Sequence, residues 1–171
     1  PWLRYRGHLD KISDNLFTGV VNAFAKGPGR GVNLLTGEKD QELPKITRDY
    51  KARNQAWVVV GDENYGEGSS REHAAMEPRY LGCVAVIVRS FARIHETNLK
   101  KQGILPLTFA NPQDYDKVLA TDRVSLRGLS DLKPSRPLDL ILHHEGGMTD
   151  SFKVNHGLTP TQIDWFHAGS A

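Results

Sequence analysis

Residues 57–75, WVVVGDENYGEGSSREHAA, leave few folds open to the chain. Trp57-Val58-Val59-Val60 is a short aromatic and β-branched run, suited to a strand buried on both faces of a sheet. Gly61-Asp62 breaks it, Gly66 and Gly68 bracket one glutamate, and Ser69-Ser70-Arg71-Glu72 opens a run of good helix formers. The pattern is strand, glycine loop, helix N-terminus. Such a turn leaves free backbone N–H groups at the positive end of a helix dipole. Its glycines let backbone approach a ligand without Cβ atoms intervening. The chemistry predicted is therefore anion binding.

Side chains of the loop sharpen this. Arg71 is able to grip a carboxylate or phosphate through two parallel hydrogen bonds, and Ser69 and Ser70 offer hydroxyls as nucleophile, base or donor. Ser69-x-x-Glu72 also fits a capping box. On this pattern alone capping outranks catalysis, and the two roles compete, because an Oγ tied to a helix N–H is a poor base. If Ser70 caps instead, Ser69 is left free at the loop tip; both arrangements stay open. No Gly-Lys-Ser/Thr ending is present, and GEGSSR lacks the third glycine of a dinucleotide-binding fingerprint.

The rest of the chain supplies a sheet around this turn. Residues 16–22 read as a strand, 26–44 as a long surface loop, and 47–54 as a short helix. Residues 71–80 continue the central helix, with Pro78 disturbing its end. Strands are expected at 84–88 and 104–109, separated by an amphipathic helix over 91–102. Phe91, Ile94 and Leu99 would form one face of that helix, and Gly103 stops it. Strand, helix, strand, helix, strand implies parallel pairing. After a helix over 111–119 the pattern changes. Strands at 124–126, 138–144 and 151–155, the last two joined through Glu145-Gly146-Gly147, suggest a second, smaller antiparallel sheet packed on the first. A final helix opens at Thr159-Pro160-Thr161-Gln162. The class expected is α/β, with a mainly parallel central sheet.

Composition excludes several functions. With 171 residues the chain suits one domain, 1–171. No apolar run approaches the ~20 residues that span a bilayer. A net charge of +2 and the lack of interleaved basic and aromatic patches argue against nucleic acid. The single cysteine, Cys83, reads as a buried strand thiol. Seven histidines invite a metal, but no HExxH or paired-cysteine spacing is present, and adjacent His143 and His144 point to opposite faces of a strand. His73 is placed to contact a bound anion or to pack under the loop, and His95 to support the second helix. Asp62 and Glu67 read as loop-stabilising or interface residues.

GDENYGEGSSREHAA, SFARIHETNLKKQGILPLTFA (90–110), YRGHLDKISDNL (5–16) and the closing TQIDWFHAGSA closely resemble the C-terminal swivel domain of mitochondrial aconitases. The match runs nearly end to end, with less of it in 26–44 and 121–156; Cys83 departs from the small residue expected at its position. The resemblance implies a swivelling three-layer β/β/α domain in the mitochondrial matrix. It implies interconversion of citrate and isocitrate through cis-aconitate, with a [4Fe-4S] cluster held by other domains of the same enzyme. It makes Ser69 the base, Ser70 and Arg71 substrate-binding, and Arg6 a second carboxylate clamp. One cysteine cannot hold a cubane cluster alone, and excluding water from the serine requires closure against another domain, so the isolated chain is expected to be catalytically silent. The rival expectations are a small subunit of an isopropylmalate isomerase type of hydro-lyase, an RNA-binding module, and a bare anion-binding domain.

Overall fold

In a computed structural model, residues 30–31, 33–37, 41–63, 65 and 78–169 are described. Six strands form one mixed sheet in the order β3-β4-β5-β8-β7-β6. Strands β3 (Trp57–Gly61), β4 (Cys83–Val88) and β5 (Leu105–Phe109) are parallel, as the alternation of apolar runs with helices predicts. Strands β6 (Arg123–Arg127), β7 (Leu138–His143) and β8 (Thr149–Asn155) are antiparallel. They do not pack on the parallel strands as a second layer. They extend the same sheet, because β8 pairs with β5 through Thr108↔Asn155 and Phe109↔Val154. A separate two-stranded ladder joins β1 (Arg30–Gly31) to β2 (Gln41–Glu42).

Burial follows the pleat. Ala85 and Ile87 of β4 face one cluster with Leu105, Leu107, Phe109, Leu140, Phe152, Val154 and Ile163. Cys83, Val86 and Val88 face the other, with Leu99 and Ile104. Strand β4 is thus covered on both sides, as expected of a parallel strand. Among the described strands β3 lies at the sheet edge, and its residues are half-buried rather than enclosed on both faces.

Two elements depart from the sequence reading. The loop expected over 26–44 carries the β1–β2 ladder and a buried Asn33, whose Nδ2 donates to Asp49 Oδ2 at 2.8 Å while its Oδ1 accepts from Leu35 N. Helix α1 (Leu43–Ala52) starts earlier than expected, since Pro44 in the first turn has no N–H to lose there. Of the helix expected over 71–80, residues 78–80 are described, and they are helical together with Leu81.

Helix α2 (Arg93–Lys101) buries His95, Asn98 and Leu99, and leaves Ile94 58% exposed. Of the expected face, Leu99 is buried and Phe91 packs against the same cluster, but Ile94 is not part of it: the buried stripe is i, i+3, i+4 from His95. Gly103, at φ 76, lets the chain turn out of the helix into β5. Pro112–Lys117 is a 3-10 helix capped by Asn111. Helix α3 (Pro160–Ala168) starts on a complete capping box between Thr159 and Gln162. The strand expected at 16–22 lies outside the described residues.

Candidate functional site at the carboxyl ends of the parallel strands

Strands β3, β4 and β5 end at Gly61, Val88 and Phe109 on the same side of the sheet, because they run parallel. In open α/β sheets ligands bind beyond the carboxyl ends of the strands. Each of the four site residues expected from the sequence (Arg6, Ser69, Ser70 and Arg71) lies outside the described residues, as do Glu67 and His73. What is described is the frame from which residues 66–77 depart.

Two fastenings fix the start of that segment. The first is ionic. Arg89, just past β4, sets Nη1 3.3 Å from Asp62 Oδ1 and Nη2 3.6 Å from Asp116 Oδ1, and its Nε donates to Pro112 O at 3.1 Å. Its guanidinium also lies 4.5 Å from the Tyr115 ring centroid. This arginine is neutralised by carboxylates and committed to structure, and Asp62, which also accepts a hydrogen bond from Glu63 N, ties the end of β3 to it.

The second fastening is aromatic. Tyr65 N donates to Ser90 O at 3.0 Å, and Ala92 N donates to Tyr65 O at 2.8 Å. The Tyr65 ring meets Phe91 edge-on at 6.3 Å between centroids and His95 at 5.4 Å. A Cβ at Gly61 would stand 2.7 Å from Tyr65 Cδ2 and 3.0 Å from Val88 Cγ1, so the glycine is required for space. Burial pushes the Tyr65 phenol up, keeping it neutral. His95 is held below the usual imidazole range by burial, and its Nδ1 and the Nδ2 of Asn98 have no hydrogen-bond partner among the described residues. His95 does support α2, as expected, and its ring contacts that of Tyr65. Tyr65 and Arg89 were missed in the sequence; the signal available was an aromatic residue placed immediately before Gly66.

Other reactive groups read as structural. Cys83 is fully buried, its Sγ lies 3.4 Å from Ala85 O, and burial pushes its thiol up to about 12. A neutral core thiol does not fit a ligand to an iron–sulfur cluster. Among the described residues, no group of three or more His, Cys, Asp or Glu is arranged to hold a metal ion. His143 and His144 have separate partners. His143 Nε2 lies 2.8 Å from Ser125 Oγ, whereas His144 sits between Asp122 (Nδ1···Oδ1 2.6 Å) and Asp150 (Nε2···Oδ2 2.7 Å). Hydrogen bonds to Asp150 and Asp122 raise the His144 pKa. No described helix is long and apolar enough to cross a membrane.

Comparison with known proteins accounts for this frame. The family model of the aconitase C-terminal domain matches residues 1–112. The whole chain aligns at 58% identity with a Dictyostelium discoideum protein named "Probable aconitate hydratase, mitochondrial", and at 52% with the mitochondrial aconitate hydratase of Saccharomyces cerevisiae. It spans 22% of the length of each. A crystal structure of 3-isopropylmalate dehydratase from Methanocaldococcus jannaschii superposes with a TM-score of 0.53 at 26% identity, covering 67% of this chain and 59% of that one. On the strength of the family model and of matches that run through every residue, the chain belongs to the aconitase C-terminal domain family.

Proposed function

We propose that residues 1–171 form one domain of an aconitate hydratase and carry the base for the dehydration and rehydration that interconvert citrate and isocitrate through cis-aconitate. The observation that carries this reading is identity of 52–58% along the full chain with mitochondrial aconitate hydratases. On the same ground the enzyme is a hydro-lyase of the mitochondrial matrix. Its [4Fe-4S] cluster, a Lewis acid toward substrate oxygens, is carried by its other domains.

In this reading Ser69 removes the proton next to a substrate carboxylate, Ser70 and Arg71 bind substrate, and Arg6 grips a second carboxylate. A serine hydroxyl is far too weak an acid to ionise near neutral pH unaided. A guanidinium, oriented N–H donors and exclusion of water each favour the alkoxide. The helix dipole contributes about 0.3–1 kcal/mol, so Arg71 and the exclusion of water carry most of the shift. Exclusion requires closure against other domains, which is why the isolated chain should be silent.

The test is Ser69→Ala in the full-length enzyme. Loss of a general base lowers kcat by about 10²–10⁴-fold with little change in KM. Near-normal turnover ends the assignment. The likeness to 3-isopropylmalate dehydratase makes isopropylmalate the control substrate; preferential turnover of it would replace the citrate reading.

A further inference from the structure

We propose that Tyr65 is a positioning residue: an aromatic anchor, seated against Gly61, Phe91 and His95, that fixes where the glycine loop leaves the sheet. This rests on the reading of Ser69, Ser70 and Arg71 as the substrate-facing residues.

Four observations converge on Tyr65. Its backbone uses both polar groups in the same direction, N to Ser90 O and O from Ala92 N, so the chain is laid as a bridge along the β4–α2 connection. The ring has Phe91 edge-on and His95 tilted beside it, a geometry that favours one ring orientation. Below it, Gly61 leaves the space that any side chain would fill. Beside the ring, the buried His95 has no hydrogen-bond partner at Nδ1 among the described residues, and its imidazole packs against the Tyr65 ring.

The consequence follows from chain reach. Ser69 is four residues past Tyr65, so its Cα lies within about 14 Å of this anchor on any path. An error in the anchor passes to the reacting hydroxyl with few bonds to absorb it, and catalysis is sensitive to displacements near 1 Å. Tyr65 touches neither substrate nor reacting atoms in this scheme. It acts through the loop, with Arg89–Asp62 as the weaker, more exposed companion.

The experiment uses the full-length enzyme with its cluster content matched between variants. Two readouts are taken: steady-state kinetics well below the unfolding temperature, and hydrogen–deuterium exchange of the peptide spanning 62–73, with β7–β8 as internal control. Tyr65→Ala should speed exchange of that peptide about tenfold, leave β7–β8 unchanged, and lower kcat at least about tenfold. Tyr65→Phe, which keeps the ring, should restore both to within about twofold. The anchor is overturned if Tyr65→Ala leaves exchange at the wild-type rate, or if Tyr65→Phe is as damaged as Tyr65→Ala, since the hydroxyl would then be what matters. Should Tyr65→Ala fail to fold, Tyr65→Leu takes its place under the same criteria, and wild-type exchange in it is equally fatal. Exchange is read without turnover, so an active Ser69→Ala enzyme with a loosened loop in Tyr65→Ala would remove the base assignment and leave the anchor standing.

Discussion

Gly61→Ala should be destabilising chiefly through Tyr65, and the size can be worked out. The added Cβ would sit 2.7 and 3.2 Å from two Tyr65 ring carbons and 3.0 Å from Val88 Cγ1. One methyl forced into a packed site costs about 1–3 kcal/mol. Against that, alanine loses less conformational freedom than glycine on entering a strand, a gain of about 0.5–1 kcal/mol. The net expected is a loss of about 0–2.5 kcal/mol. In a Tyr65→Ala background two of the three close approaches vanish, so the same substitution should be neutral or slightly stabilising. Urea unfolding of the four proteins closes a double-mutant cycle, with an expected coupling of about 1–3 kcal/mol. Distant sites add to within about 0.3–0.5 kcal/mol; a coupling inside that margin would show that the ring does not rest on Gly61, and would remove the packing argument for the anchor.

Leu107 is fully buried at the centre of β5, between the parallel and antiparallel halves of the sheet. Leu107→Ala should cost about 2–5 kcal/mol in urea unfolding; a loss under about 1 kcal/mol would mean the core is looser than described. The His144 clamp gives a pH dependence of defined sign. Its pKa is raised from 6.5 in the fold by hydrogen bonds to Asp150 and Asp122, so its stabilisation is complete below 6.5 and is lost as pH rises through the folded value. NMR titration of His144 should find that raised pKa, and Asp150→Asn should lower it; a His144 titrating at or below 6.5 would refute the clamp.

The legible part of the fold was whatever repeats within a few residues. The apolar runs at 57–60, 84–88 and 104–109 announced buried strands, and Thr159-Pro160-x-Gln162 announced a capped helix, because pleat, turn and cap are set by neighbours along the chain. The candidate site was inferred differently. A glycine loop between strand and helix implied an anion, and the roles proposed for Ser69, Ser70, Arg71 and Arg6 rest on long matching motifs; no local pattern distinguishes a capping serine from a base.

The tertiary structure decided which surfaces meet. Helix α2 buries His95 and Asn98 and exposes Ile94 because the loop residue Tyr65 packs beside His95, a contact across 30 positions that no helical period encodes. The antiparallel strands join the parallel sheet because β8 finds the free edge of β5. Asn33 is buried because Asp49 supplies its partner. The sequence by itself determined the elements and, through resemblance, the family. Pairing between distant segments, the anchor under the loop among them, depends on burying many surfaces at once, and that only the assembled core could settle.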